Sequence, residues 1–358
     1  KNRRNRNVTK GNFLYLIIQY SAKKKLDMIE KKWENHSGNI NILKDVTTSD
    51  IPKIIAEENI HTIQFYKFQT PKKETWKVLN EFYGEYPEVK LRVCWNECQN
   101  LSFYKEIPNL RRFNIASFHT KDYSSLLSNI NLTHLGIEET KSKTVALSFI
   151  KAFKNLESLY IDGMKKGLEN VQHLKKLKKI TFRAIKMDDV SCLKTLENLE
   201  ELNLFYGSYK NLAALSSLQQ LKSISFSRVR QIPNFIFLNS LKNLEQIKFE
   251  GMSQMKEVPN LSNLKKLKSI HLRNNLRLSD IKNIEKIPAL KLLQIFFPEN
   301  IKASERRKLV AQSVKILRNS QTIRYTNIMH WTDEATSKEI FEKGIKKMGL
   351  ERTIGMTL

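Results

Sequence analysis

Apolar and polar positions alternate through most of the chain in one recurring figure: an apolar residue, two variable ones, an apolar residue, one variable, an apolar residue. It reads Leu156-Glu-Ser-Leu159-Tyr-Ile161, Leu177-Lys-Lys-Ile180-Thr-Phe182 and Leu199-Glu-Glu-Leu202-Asn-Leu204. It continues through Leu221-Lys-Ser-Ile224-Ser-Phe226, Leu244-Glu-Gln-Ile247-Lys-Phe249, Leu267-Lys-Ser-Ile270-His-Leu272 and Leu290-Lys-Leu-Leu293-Gln-Ile295. The middle apolar residue of each copy serves as a landmark: Ile63, Leu91, Phe113, Leu135, Leu159, Ile180, Leu202, Ile224, Ile247, Ile270 and Leu293. The gaps between them are 28, 22, 22, 24, 21, 22, 22, 23, 23 and 23 residues, the signature of a repeat architecture. The end of each figure has period two, which predicts a short strand. Its alternate side chains point opposite ways, the apolar ones into a core and the variable ones onto a shared outer surface. A single unit cannot bury its apolar side alone, so stability must come from stacking.

The ends read differently. Gly11–Tyr20 suggests a strand and Leu26–Trp33 a helix, through Leu26, Ile29 and Trp33. Ile40-Asn-Ile42 alternates, with Ile42 lying 21 residues before Ile63. Helices are expected over Ser49–Glu58, capped by Ser49 or Asp50, and over Lys73–Tyr83, which accounts for the long first gap. Ala303–Leu317 places Leu309, Val310, Val314 and Leu317 on one helical face, and Gln321–Asn327 reads as a last strand. A final helix is expected from a Thr332 cap to Met348, with Asp333 and Glu334 in its first turn and Gly349 as its stop. No flexible linker separates these parts. The organisation expected is one continuous solenoid: a cap and helical units over 1–59, repeats over 60–298, and a helical cap over 299–358.

The figure resembles the leucine-rich repeat family, whose unit is L-x-x-L-x-L-x-x-N-x-L over 20–29 residues. The resemblance covers about Ile60 to Phe297. A second apolar series ahead of each strand, as in Leu261-Ser-Asn-Leu264-Lys-Lys-Leu267, is similar to the short-repeat branch. The resemblance implies an α/β solenoid, a horseshoe with a parallel sheet on the concave side, 3₁₀ or irregular segments on the convex side, and α-helices near both ends. The family's asparagine, three positions past the strand, is matched at Asn96 and Asn275, with Thr140 as a substitute. Elsewhere that slot holds Met164, Ile185, Gly207, Val229 and Met252, so the turns should vary.

Charge changes the picture next. The 358 residues carry 62 Lys+Arg against 36 Asp+Glu, a formal net charge of +26. Lys1–Lys32 holds ten basic and two acidic residues, Met164–Lys186 eight and one, and Glu299–Leu358 twelve and seven. The outward strand positions hold Lys90, Arg92, Arg112, Lys179, Arg183, Lys248 and Arg273 against Glu138, Asp162, Glu201 and Glu250. That balance is close to the face's proportional share of the whole charge, whereas a nucleic-acid groove would concentrate it. Lysine-rich outer turns are read first as solvating surface.

Chemistry is sparse. The sequence contains no G-x-x-x-x-G-K-[ST], G-x-G-x-x-G, G-x-S-x-G or H-E-x-x-H. No enzyme activity, cofactor or metal is expected. Asp188-Asp189 reads as a solvated turn or a cap, and His134 and His271 as surface polar residues too far apart to share a metal. Three cysteines, Cys94, Cys98 and Cys192, cannot form a disulfide framework and point to reduced thiols and a cytoplasmic setting. No apolar run approaches the ~20 residues of a membrane helix. Phe13–Ile18 is short for a signal-peptide core, and the chain begins without Met.

The outward strand positions also hold Tyr66, Trp95, Tyr160, Phe205, Tyr206 and Phe296 among adaptable polar residues, the mixture of protein-binding surfaces. Packing against neighbours competes with binding for Tyr160, Phe205 and Tyr206 and is preferred for Phe296. The family resemblance implies a protein-binding scaffold that uses the concave face, by analogy with members that inhibit other proteins. The short repeats and Lys/Asn/Ile bias fit a bacterial immunity or antitoxin role. The candidate partner-binding residues are Arg92, Arg112, Tyr160, Arg183, Asn203, Phe205, Tyr206, Lys248, His271 and Arg273, facing a partner that is expected to be an acidic protein. The alternative is binding of nucleic acid or an anionic surface through the basic termini and outer lysine clusters.

Overall fold

The computed structural model describes residues 31–95, 101–138 and 145–350. The strand expected over Gly11–Tyr20, most of Leu26–Trp33, the basic Lys1–Lys10 stretch, and Asn96, Cys98 and Thr140 lie outside them.

Among the described residues fifteen strands form one sheet. The landmarks pair side by side in a single unbroken row, Ile63–Leu91–Phe113–Leu135–Leu159–Ile180–Leu202–Ile224–Ile247–Ile270–Leu293, with every pairing parallel. Parallel pairing follows from the connection: each repeat must travel round the outer face before its next strand begins. The landmarks are essentially fully buried, as is the apolar residue two positions later, for example Leu204, Phe226 and Phe249.

The row extends to Ile40, which pairs with Ile63, while Ile42 pairs with Phe65. The sequence landmark at Ile42 is therefore two residues late. Trp33 belongs to a strand, Trp33–His36, paired antiparallel with Asn39–Ile42. The turn between them uses Ser37 and Gly38, both at positive φ. A Cβ on Gly38 would lie 2.0 Å from the Asn59 carbonyl oxygen, so only glycine fits.

The outer face carries short 3₁₀ segments, among them Ser102–Glu106, Ser124–Ser128, Leu147–Ala152, Leu168–His173, Ala213–Ser217, Ile236–Ser240 and Lys282–Lys286. Each delivers a buried side chain to the core: Tyr104, Leu126, Ile150, Val171, Leu215, Leu238 and Ile284. α-Helices replace them near the ends: α1 (Ile51–Ile55), α2 (Lys73–Glu85), α3 (Ala303–Asn319) and α4 (Glu334–Glu342). The turn before α1 starts from Thr47, whose N–H and hydroxyl both donate to Asp50 Oδ2 at 2.8 Å. Asp50, one of the two expected caps, does stand at the N-cap position of α1, but its carboxylate accepts from Thr47 rather than from the helix's own N–H groups.

The last helix is shorter than its sequence pattern. Asp333 is the cap, accepting from the Thr336 N–H at 2.7 Å, and α4 stops at Glu342 because Gly344 enters the left-handed region at φ 87°. Ile345 is then buried, and Lys346–Lys347 adds one more strand beside Tyr325–Thr326. Lys343 closes the neighbouring helix end by donating to the Leu317 carbonyl at 2.9 Å and to that of Arg318.

One feature of the turn after the strands was invisible in the sequence. Four positions past the landmark, the backbone is left-handed in six successive repeats: Gly163, Ala184, Tyr206, Arg228, Gly251 and Asn274. Each N–H there donates to the next repeat, as Tyr206 does to the Ser227 carbonyl at 2.7 Å and Arg228 to that of Glu250 at 2.7 Å. Side chains at this position are turned out onto the rim of the sheet. One position further, Asn275 fills the family's asparagine slot. It accepts from the Met252 N–H at 2.9 Å and donates to the Phe249 carbonyl at 3.0 Å. Where the asparagine is absent, Met164, Ile185, Val229 and Met252 are buried instead. The chain beyond Ile185 and Gly207 forms a second small parallel ribbon, Lys186–Asp189 against Ser208–Asn211.

Candidate partner-binding face

The variable strand positions form three rows across the sheet. The central row, one residue past each landmark, is closely packed. Asn203, Thr181, Ser225, Asn114 and Gln294 are buried, because neighbouring strands stand only ~4.8 Å apart and shelter whatever lies between two longer side chains. Asn203 donates to Thr181 Oγ1 at 3.2 Å and to Glu201 Oε1 at 2.7 Å, so it supports the face from below. His271 is held between two glutamines: its Nδ1–H donates to Gln294 Oε1 at 2.8 Å and its Nε2 accepts from Gln246 at 3.0 Å. Burial, with lesser contributions from Lys248 and Arg273, holds its pKa below the usual histidine value. Its surroundings thus select the neutral ring.

Every carboxylate at the described outward positions of the repeats is engaged. Glu138 takes Arg92 in a two-point contact, Nη2 at 2.6 Å and Nε at 3.2 Å. Asp162 holds Arg183. Glu201 pairs with Lys179 at 2.8 Å and Glu250 with Lys248 at 2.6 Å. Arg273 lies over the Phe296 ring, 4.5 Å from its centroid. Arg92 also donates to Gln64 at 3.0 Å. Asn114 ties this corner together, donating to Glu138 Oε1 at 2.7 Å and accepting from His134 Nε2–H at 2.6 Å. Burial raises the Glu138 pKa, but hydrogen bonds from Arg92 and Asn114 overcome it and hold the carboxyl below its ordinary value.

The candidates divide accordingly. Arg92, Asn203, Lys248, His271 and Arg273 are knitted into contacts within the face. Arg112 is exposed, and Tyr160 and Phe205 are half-buried. Tyr206 is 50% exposed and sits on the rim, in the left-handed position one residue beyond its strand. Arg183 stacks over the Tyr206 ring at 5.3 Å from the centroid, and Arg228, from the next repeat's equivalent position, at 5.5 Å. Arg183, Phe205 and Tyr206 are therefore brought together, and Arg228 joins them. The sequence reading named Tyr206 at this position and passed over Arg228, whose part depends on reaching the neighbouring ring. Trp95 is a correction: it is 5% exposed, packs edge-on against Trp76 at 6.1 Å, and donates to the Phe68 carbonyl at 3.0 Å. It belongs to an aromatic core with Phe65 and Phe103.

Among the described residues no group of three or more His, Cys, Asp or Glu side chains is placed to hold a metal. Burial and the nearby Asp189 carboxylate push the Cys192 thiol up to about 11, which keeps it protonated at neutral pH. Asp188 pairs with Lys210 at 2.7 Å, and Asp189 caps the following turn by accepting from the Ser191 N–H at 2.6 Å.

No family model matches the chain, and no curated protein sequence does. Solved structures do. An internalin from Listeria monocytogenes matches with a TM-score of 0.52 and 15% identity, over 83% of this chain and 87% of that one. Mouse RP105, solved in complex with MD-1, matches with a TM-score of 0.51 and 15% identity, over 80% of this chain. The match spans 53% of the RP105/MD-1 chain. The repeat period, the single row of paired landmarks and these likenesses define a repeat solenoid. Its fold is that of the leucine-rich repeat proteins.

Proposed function

We propose that the chain is a non-enzymatic scaffold that binds another protein on its concave face. The observation that carries this reading is the Arg183–Tyr206–Arg228 stack: a half-exposed tyrosine clamped between two guanidiniums, beside Phe205. Aromatic and arginine side chains dominate interface energy, and a pre-ordered cluster loses little entropy on docking. The self-paired charges around it make the rest of the face a rigid, polar rim. A mouse protein of the same fold has been solved with a protein bound. An acidic partner fits the excess of bases over acids on the face, and inhibition of another protein, as by an immunity protein or antitoxin, is the special case that needs no further chemistry. The odd cysteine count is what favours an intracellular setting. Among the described residues no helix is long and apolar enough to cross a membrane.

The test is capture from native lysate at low and moderate salt, followed by calorimetry with the captured protein. Phe205→Ala and Tyr206→Ala should weaken binding with the fold intact. If they bind like wild type while changes at Lys346 and Lys347 abolish binding, the interaction belongs to the capping end and the concave-face reading is wrong.

A further inference from the structure

We propose that the first outward row of the N-terminal half, Lys90–Arg112–His134, is a docking strip for an acidic segment of the partner, laid across the strands with carboxylates on Lys90, Arg112 and His134 Nδ1. The proposal rests on the concave-face reading and names the chemistry that one part of that face recognises.

The row is continuous. Leu91 pairs with Phe113, and Arg112 with His134, so the three side chains stand on adjacent strands and span ~10 Å. Lys90 and Arg112 form no ion pair with any described carboxylate, whereas all four acids of the face are taken by Arg92, Arg183, Lys179 and Lys248. Two cations without counterions, side by side on a half-sheltered surface, repel each other and call for an anion. Lys90 shows the cost: burial lowers its pKa, the Glu138 carboxylate pulls it back, and Arg92 and Arg112 lower it again. His134 reports it more strongly. Its pKa falls to about 4 through burial and the field of Arg112, Lys90 and Lys179, opposed only by Glu138.

The ring of His134 is also fixed in place. Its Nε2–H is committed to Asn114, and Asn114 can reach both His134 and Glu138 only because the next strand offers Gly136. A Cβ there would stand 2.6 Å from the Asn114 side chain. Nδ1 is left as the ring's open position. An arriving carboxylate supplies the charge that the site lacks, so His134 takes one proton from solvent onto Nδ1 and donates it to that carboxylate. Docking should therefore be coupled to proton uptake and should strengthen as pH falls from 7 towards 5.

The probe is a hexaglutamate peptide, titrated calorimetrically at physiological salt in two buffers of different ionisation enthalpy, with the His134 ring followed by NMR. Lys90→Ala/Arg112→Ala should lower affinity about tenfold or more, while the convex pair Lys175→Ala/Lys176→Ala should leave it unchanged. The His134 titration midpoint should rise on binding, and His134→Gln should remove the proton uptake. Equal losses in the concave and convex variants, or an unmoved His134 resonance, would overturn the strip. An oligodeoxynucleotide of equal charge that displaces the peptide and binds more tightly would assign the row to nucleic acid instead. Phe205→Ala/Tyr206→Ala tests the other reading independently, because it should spare hexaglutamate binding while weakening capture of the protein partner.

Discussion

The two halves of the concave face are built on the same core and differ in what they show to solvent. In the N-terminal half, the first outward row runs Lys90, Arg112, His134, Ser158, Lys179, without an acid. In the C-terminal half it runs Glu201, Ser223, Gln246, Ser269, Leu292, without a base. The central rows diverge too, from Arg92, Asn114, Gly136, Tyr160 and Thr181 to Asn203, Ser225, Lys248, His271 and Gln294. The face as a whole carries only its share of the net charge, yet that share is segregated. An average over a surface therefore says little about whether a charged partner has somewhere to land; pairing and position decide it.

The largest expected effect tests the part that should not differ. Leu202→Ala and Leu135→Ala remove side chains that are fully buried in the C-terminal and N-terminal halves. Each should cost ~2–5 kcal/mol of stability, the range for a leucine lost from a packed core. Melts followed by circular dichroism should show comparable losses. A melt unchanged by either substitution would refute the strand register, and a large disparity would mean that the two halves fold as separate units.

That core was legible in the sequence because it depends on period alone. Each landmark repeats every 21–28 residues, and stacking admits one register that buries them all. The turns were not legible. Ala184, Tyr206 and Arg228 adopt a left-handed backbone that their residue types do not announce, since here the inter-repeat hydrogen bonds override local preference. Ile42 was taken for Ile40 because two isoleucines two apart fit either register, and only the fold shows that Ile40 is the one beside Ile63. The site was half legible. Which residues lie on the concave side follows from alternation. Which of them are consumed by neighbours, as Arg92 is by Glu138, depends on contacts across 46 residues of sequence, which a single chain without its fold cannot show.

The next effect separates the halves by their partner energetics. Tyr206→Ala removes the ring between Arg183 and Arg228 and should cost ~1–3 kcal/mol of binding, with stability little changed because the ring is half exposed. Arg112→Ala should instead act mainly on association, slowing it and reducing its salt dependence, and should raise dissociation less than Tyr206→Ala does. Stopped-flow kinetics distinguishes the two. Equal effects on dissociation from both substitutions would erase the difference drawn between anchoring in the middle repeats and steering at the N-terminal ones.

A third effect belongs to the N-terminal half and appears in the pH dependence of stability. The folded protein holds His134 near a pKa of about 4, against an ordinary value of 6.5. As pH falls below 6.5 the unfolded chain binds a proton that the folded one refuses, so stability declines until about pH 4 and then stops declining on this account. His134→Gln should flatten that decline by at most ~1.4 kcal/mol per pH unit. Urea denaturation at pH 7, 6, 5 and 4 measures it, and an identical slope in the variant would remove His134 from the titration.

The smallest effect concerns the outer edge, where the halves should be alike because charges there are solvated. Two residues before each landmark, glutamate and lysine alternate along six repeats: Glu157, Lys178, Glu200, Lys222, Glu245 and Lys268. They pair as Lys178–Glu157 and Lys222–Glu200 at 2.9 Å and Lys268–Glu245 at 2.7 Å. The regularity invites a structural role, but the backbone already supplies one. Each of these residues donates its N–H to the carbonyl of the same position in the preceding repeat, at 2.8 Å from Lys178 to Lys268, and substitution leaves those bonds in place. Side chains about half exposed form ion pairs worth little once entropy and salt screening are counted. Lys222→Ala should therefore shift stability by less than ~0.5 kcal/mol, and so should Lys176→Ala, whose ammonium reaches only Asn155 at 2.8 Å. Chemical denaturation of both variants beside wild type resolves such differences. A loss above ~1 kcal/mol for Lys222→Ala alone would show that the alternating ladder fixes repeat stacking, and that the contrast between a paired inner face and a solvated outer one has been drawn too sharply.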